Sequence, residues 1–278
     1  MTNKKAYVVG NNTHKSLSPI IFNYWFKKYK INGEYRYIEI KEENFNNEIK
    51  KLLGEKSLCG LNITIPFKEK IIHHLDTIDK HSTLIGAVNC VSKVEEKLEG
   101  MNTDWIGFQE SIKWQEKHGL PKIERKDTAI VIGYGGSAKA VIYSLSKMGF
   151  KKIRVFNRSY EKISKLTNII PHKLEDLEHH FKEGDLIVNT IPINYYKELK
   201  LNLPRHTVVD RSSATGHGFD AVYNYNTFFL GHIAYVKRIY GHHMLIHQAI
   251  PCFYKWFGVK PEVDMGLVAL LEKKTLKE

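Results

Sequence analysis

Hydrophobic and polar positions along the chain switch repeatedly between two periods: short apolar runs of the strand kind, and i, i+3, i+4 stripes of the helix kind. Residues 5–10 (KAYVVG) form the first strand run. Ser18-Pro19 then opens a helix, with Ser18 as N-cap and Pro19 at the first helical position. Phe22, Trp25, Phe26 and Tyr29 fall on one face of that helix and predict its buried side. Strand runs at 34–40 (EYRYIEI) and 58–65 (LCGLNITI) follow, with a helical stretch from Phe45 to Leu53 between them. From Lys126 a continuous apolar strand, DTAIVIG, leads into Gly135-Gly136 and a helix whose buried stripe is Ala138, Val141, Ile142, Leu145 and Met148, stopped by Gly149. KIRVFNR, DLIVNT and HTVVD (206–210) are further buried strands, and the tail after Gly241 is helical until Pro251 kinks or breaks it. This alternation predicts an α/β fold with parallel sheets in two domains, residues 1–105 rejoined by 241–278, and residues 106–240.

Composition narrows the function classes. With 278 residues and 42% hydrophobic content the chain can bury two cores. No apolar run approaches the roughly 18 to 20 residues a membrane helix needs, and the N-terminus lacks a signal-peptide apolar core, so a cytoplasmic protein is expected. Cys59, Cys90 and Cys252 are widely spaced and read as buried small hydrophobes, not as disulfide or zinc ligands. Forty-two Lys and Arg against 30 Asp and Glu give a net charge of +12, but the basic residues are dispersed among acids. That pattern disfavours nucleic acid and membrane partners and suits a small anionic cofactor or substrate.

The turn Gly133-Tyr134-Gly135-Gly136-Ser137-Ala138 sits between a strand and a helix, where glycines let backbone N–H groups approach a pyrophosphate. Gly133, Gly135, Gly136 and Ser137 are its candidate cofactor-binding residues, with Ala138 in the close-packing position usually held by a third glycine. Residues 106–240 therefore read as a doubly wound, Rossmann-type dinucleotide-binding domain. The next strand ends in Asn157-Arg158-Ser159, with no acid to accept from a ribose hydroxyl and a planar cation suited to phosphate. Asn157 and Arg158, with Lys162 a turn further on, thus favour NADP over NAD.

Four polar clusters precede that turn: Ser16-Leu17-Ser18-Pro19, Asn62 to Glu69 (NITIPFKE), Gly86-Ala87-Val88-Asn89, and Asn102-Thr103-Asp104. Each alone reads as a cap or turn. Together, in this order and followed by Asn157-Arg158, Val188 to Pro192, and Met244-Leu245 with Gln248, the set resembles the shikimate dehydrogenase family over nearly the whole chain. The resemblance implies a substrate-binding domain in residues 1–105 and 241–278, and reversible NADP-dependent interconversion of shikimate and 3-dehydroshikimate in aromatic amino-acid precursor biosynthesis. It implies that Ser16 and Ser18 bind the substrate carboxylate, and that Asn62, Thr64, Asn89 and Gln248 bind its remainder. It makes Lys68 and Asp104 the acid–base pair at the reacting hydroxyl and Gly241 part of the cofactor site. Which member of the pair carries the proton is left open, because coupled groups titrate as a unit.

Departures from the family pattern gather near the specificity-setting positions: Trp105 for glycine, Tyr134 for a small residue, Ile191 for threonine or serine, Cys90 for threonine, and Gly241-His242-His243 for Gly-x-Gly. The family's Asp-x-x-Tyr element matches either Asp210 to Ser213, without its tyrosine, or Asp220 to Tyr223. Two alternatives stay open: a quinate/shikimate dehydrogenase using NAD, and a shikimate-binding homologue without turnover. A methylene-tetrahydrofolate dehydrogenase gives no reason for the Ser16 and Ser18 pair beside Asn102 to Asp104. His243 and His247 share a helical face without the glutamate of a metalloprotease motif, so no metal is expected. The aromatic stretch Tyr223, Tyr225, Phe228 and Phe229 reads as core packing, and nothing sets the oligomeric state, a homodimer included.

Overall fold

The apolar runs of the N-terminal part pair into one six-stranded sheet and those of the second half into another, in a computed structural model that describes residues 4–164, 167–181, 184–191, 217–220 and 237–275. Two compact units result, Met1–Gly107 with Leu245–Leu271, and Phe108–Met244 with Glu272–Glu278. HTVVD, Pro192, Asp210 to Ser213 and the aromatic residues 223–229 lie outside the described residues.

In the first unit the strands are β1 (Lys4–Gly10), β2 (Gly33–Glu39), β3 (Leu58–Ile63), β4 (Thr77–Ile78), β5 (Cys90–Val94) and β6 (Lys97–Met101), in the order β2-β1-β3-β5-β6-β4. The helices are α1 (Ser18–Tyr29), α2 (Phe45–Leu53) and α3 (Lys80–Ile85). β1 is parallel to β2 and β3, but β5 is antiparallel to both β3 and β6, so the expectation of parallel sheets is corrected here. The reason is chain length: only Glu95-Glu96 joins β5 to β6, whereas a parallel return needs about a dozen residues. Glu95 takes the left-handed conformation (φ 55°) that this tight hairpin requires. A second correction concerns α1. Ser18 is its first helical residue and Leu17 the cap, while the Ser18 N–H donates to Ser16 Oγ at 3.2 Å.

One face of this sheet packs on α2 through Tyr7, Val9, Phe45, Ile49, Leu61 and Phe67. The other carries an aromatic cluster in which Phe22 stacks on Tyr35 (3.9 Å) and meets Phe253 (5.6 Å) and Trp256 (5.7 Å). Trp256 lies so close over Gly60 that a Cβ there would meet its indole at 2.1 Å, and its Nε1 donates to Val91 O and Ser92 Oγ at 3.1 and 3.0 Å. Phe253 and Trp256 belong to α7 (Gly241–Phe257), which runs unbroken through Pro251, against the expected interruption. A helix-interior proline costs about 3 kcal/mol. Burial of Ile246, Phe253 and Trp256, each contributing roughly 1.5–3 kcal/mol, outweighs it. Cys90 and Cys252 are buried as small hydrophobes; Cys59 is only half-buried.

The described strands of the second unit all pair in parallel: β7 (Thr128–Ile132), β8 (Lys152–Asn157), β9 (Ile169–Lys173), β10 (Leu186–Asn189), β11 (His217–Asp220) and β12 (Lys237–Tyr240), in the order β12-β11-β10-β7-β8-β9. The order runs outward from β7 through β8 to β9 and then reverses to β10, the doubly wound Rossmann arrangement, with its switch point between β7 and β10. Between β7 and β8 lies α5 (Gly136–Lys147), whose Ala138, Val141, Ile142 and Leu145 are buried against the sheet. Gly149 turns the chain after it at φ 87°. On the other face α6 (Leu177–His180) adds Leu177 to a cluster with Ile130, Phe156, Leu174 and Phe181. Among the described residues no helix is long and apolar enough to cross a membrane.

Near the start of α7, burial holds the His242 imidazole down to about 4, against an ordinary value of 6.5. Glu272, 3.9 Å away and well exposed, does not reverse this. Between those values the unfolded chain binds the proton and the folded protein does not, so stability rises with pH across that window. Acidification from pH 7 to about 4 should therefore remove up to roughly 3 kcal/mol through this residue. Urea melts over that range should show a shallower loss in His242→Gln; an identical slope would assign the acid sensitivity elsewhere.

Candidate active site

Sheet geometry in the first unit gathers the polar motifs along one edge. The parallel strands β1 and β3 end side by side, so the segments after Gly10 and after Ile63 emerge together. Antiparallel β5 begins there, with Cys90 opposite Asn62, and β6 finishes there, with Met101 opposite Cys90. Gly10 makes the convergence close: a Cβ on it would meet Thr64 Cγ2 at 2.4 Å and Thr13 Cγ2 at 3.0 Å. Asp104 then opens α4 (Asp104–Lys117), where the positive end of the helix dipole favours a carboxylate.

At this edge Lys68 Nζ donates to Asp104 Oδ2 at 2.5 Å, and both residues are buried. The other carboxylate oxygen, Oδ1, accepts from Asn89 Nδ2 at 2.8 Å. Asn89 is the hub: its Nδ2 also lies 2.9 Å from Thr103 Oγ1 and 3.1 Å from Gln248 Oε1, and its Oδ1 accepts from the Thr103 N–H at 2.6 Å. Asn102 fixes the start of α4, its Oδ1 accepting from the Asp104 N–H at 3.0 Å and its Nδ2 donating to Ala87 O at 2.9 Å. Asn62 joins from below, donating to Asn89 O and Cys252 Sγ at 3.2 Å each while accepting from Tyr35 Oη at 2.7 Å. Burying a charge pair is tolerable only when neighbouring dipoles replace water, and this network does so.

Of the residues singled out in the sequence, Lys68, Asp104, Asn89, Asn62 and Gln248 share this one network. Ser16, Ser18 and Thr64 stand at the same sheet edge, on the segments after β1 and β3. Tyr35 and Gly10 were not anticipated as parts of the site, and Thr103 was singled out only as the middle of its motif, with no role of its own. Tyr35 could have been suspected only from its place in EYRYIEI, because its partner lies 27 residues away. Trp105, the large residue in place of a glycine, packs its ring 4.9 Å from that of His81.

The nucleotide turn of the second unit lies at the switch point. Gly133 follows β7 at φ 104°, and a Cβ there would meet Thr190 Oγ1 at 2.5 Å and Ile191 Cγ1 at 3.2 Å, the residues that follow β10. A Cβ on Gly135 would meet nothing within 4 Å, so open space lies at the N-terminus of α5. Such space beside helix N–H groups fits a pyrophosphate. Ala138 is buried in the close-packing position, and Gly136 and Ser137 form the first turn of α5. Tyr134 donates to Ser164 Oγ at 3.1 Å and accepts from the Ser164 N–H at 3.0 Å, which ties the turn to the segment after β8. Asn157 ends β8, its Nδ2 donating to Ser159 O at 3.3 Å, and Arg158 is exposed beside it. Gly241, after β12, is the first residue of α7, and His243 stacks on Trp114 at 4.3 Å. Among the described residues no group of three His, Cys, Asp or Glu could hold a metal ion.

Comparison with known proteins agrees with this architecture. Residues 8–91 match the shikimate dehydrogenase substrate binding domain, and residues 117–195 match shikimate / quinate 5-dehydrogenase. A shikimate dehydrogenase (NADP(+)) of Bartonella tribocorum is 34% identical over 96% of this chain and 93% of its own length. That of Pelagibacter ubique is 32% identical over 97% of this chain and 99% of its own length. Crystal structures of shikimate dehydrogenase 1 from Peptoclostridium difficile (TM-score 0.78, 28% identity, 99% of this chain and 98% of that one) and of the Thermus thermophilus enzyme in complex with NADP(H) and shikimate (0.75, 27%, 98% and 100%) share the fold. The chain is a member of the shikimate dehydrogenase family.

Gly133 gives the nucleotide turn a direct test. Gly133→Ala introduces both a strained φ and an overlap with Thr190, so thermal unfolding should begin lower and adenine-nucleotide binding by calorimetry should fall at least about tenfold. Unchanged values in both would show that the turn relaxes freely.

Proposed function

We propose that this protein is an NADP-dependent shikimate dehydrogenase, which oxidises the ring hydroxyl of shikimate to the ketone of 3-dehydroshikimate and runs the reverse reduction. The observation that carries the reading is the buried Lys68–Asp104 pair, held from behind by Asn89. NADP supplies the hydride acceptor, and its reduced form the donor. The proton of the reacting hydroxyl is the task of Lys68 and Asp104, paired at 2.5 Å. Asn89 and Gln248 fix the direction of that pair and offer amide groups to the substrate ring. Ser16 and Ser18 supply hydroxyl donors for the substrate carboxylate, and Thr64 and Asn62 flank the ring from the end of β3. Gly133, Gly135, Gly136, Ser137 and Ala138 receive the pyrophosphate, Gly241 borders the nicotinamide end, and Asn157 with Arg158 takes the phosphorylated ribose. The unit built on β1–β6 is thus the substrate-binding domain and that on β7–β12 the NADP-binding domain.

The name of the second family match, which includes quinate, keeps a quinate/shikimate activity as the second reading. Reduced-nicotinamide absorbance with shikimate or quinate, each with NADP or NAD, separates the two. Turnover chiefly with shikimate and NADP supports the main reading, and preference for quinate with NAD replaces it. Silence in all four assays, from protein that still binds shikimate, would leave a binding protein.

Residue roles are separable by kinetics. Lys68→Ala, checked for folding by circular dichroism, should lower kcat by on the order of 10²–10⁴ with little change in KM. Asp104→Asn should lower kcat in the same sense. Ser16→Ala should raise the shikimate KM about tenfold and leave kcat within a factor of about three. Normal turnover in Lys68→Ala would sink the acid–base assignment.

A further inference from the structure

We propose that Lys173, at the end of β9, is a further cofactor-binding residue: a cation of the pocket that receives the 2′-phosphate of NADP. The inference rests on the NADP reading above and adds a residue to it from a different part of the chain.

Three observations place Lys173 there. In the parallel pairing of β8 and β9, Lys173 stands directly opposite Asn157, the last residue of β8 and the one that precedes Arg158. Parity then fixes the face. Ile153 and Val155 of β8 and Ile169 of β9 pack into the core beneath α5, whereas Phe156 faces the opposite cluster with Leu174 and Leu177. Asn157 and Lys173, at even offsets from Val155 and Ile169, therefore share the α5 face, the one on which the nucleotide turn opens. The side chain is also located: Lys173 Nζ lies 5.8 Å from the centroid of the Tyr160 ring, and Tyr160 itself leans on the core under α5.

Tyr160 begins the single 3-10 turn Tyr160–Lys162 that follows Arg158. Arg158 and Lys162 from the segment after β8, and Lys173 from the neighbouring strand, thus bring three cations to one end of the sheet, with Glu161 the one acid on that turn. A phosphate monoester, nearly doubly charged at neutral pH, is the ligand that cations at one strand end attract most strongly. A ribose without that phosphate would gain nothing from Lys173. The residue is therefore a determinant of NADP over NAD, acting through charge where Arg158 acts through its planar donors.

The test uses the full chain and isothermal titration with two probes, adenosine 2′,5′-bisphosphate and 5′-AMP, on the wild type, Lys173→Met and Lys173→Arg. The wild type should bind the bisphosphate more tightly. Lys173→Met should weaken the bisphosphate about tenfold and leave 5′-AMP and the thermal midpoint unchanged, and Lys173→Arg should restore most of the loss. A wild type that discriminates, with a Lys173→Met variant that discriminates equally well, would overturn the inference and leave the NADP reading intact. Equal weakening of both probes would reduce Lys173 to a structural role. A wild type indifferent to the 2′-phosphate would remove the NADP reading itself, and Lys173 with it.

Discussion

A lysine and an aspartate cannot be buried together unless the surroundings replace the water both have lost. In the first unit that requirement organises everything near Lys68 and Asp104. Removing one member of such a pair typically costs about 3–5 kcal/mol, because the remaining charge is stranded. The second oxygen of Asp104 is therefore as constrained as the first, and it is Asn89 that meets it. Asn89 in turn must be held by Thr103, and its carbonyl accepts from Ile63 at 2.9 Å and Asn62 at 3.2 Å. The motifs Asn62 to Lys68, Gly86 to Asn89 and Asn102 to Asp104 are thus one hydrogen-bonded object divided among three strand ends.

That division explains what could and could not be read from the chain. Residue identities were legible, since each motif is compact in sequence and chemically distinctive. Their dependence on one another was not, because Asn89 and Gln248 are 159 residues apart, and Tyr35 and Asn62 meet across β1 from opposite sides. The fold shows the same contrast. β7, α5, β8 and β10 were plain, being continuous apolar strands around an amphipathic helix. The β5–β6 hairpin was not, since VSKVEEKLEG lacks an Asn-Gly or Asp-Gly turn and carries charges through both strands.

The departures from the family pattern find local accommodations. Tyr134, too large for an ordinary glycine-rich turn, places its hydroxyl on Ser164 and an aromatic face 5.4 Å from Lys139. His243 is absorbed by Trp114, which also stacks on His118 at 3.8 Å. Ile191 sits against the one glycine of the turn with both a positive φ and no room for a side chain. In each case the extra atoms are given a packing partner within the second unit.

The indole of Trp256 pressed on Gly60 ties the last part of the chain to a strand laid down near its beginning. Phe22, Trp25 and Phe26 of α1 find their aromatic partners in Phe253 and Phe257, more than two hundred residues later. On a ribosome the β1–β6 unit is accordingly completed only after the strands of the β7–β12 unit have been made. Its aromatic face, covered in part by α1, waits while all of β7 to β12 emerges, and only then does α7 arrive to complete it. A truncation that removes α7 therefore strips the β1–β6 unit of the helix that completes its core, although every strand of that unit remains in the chain.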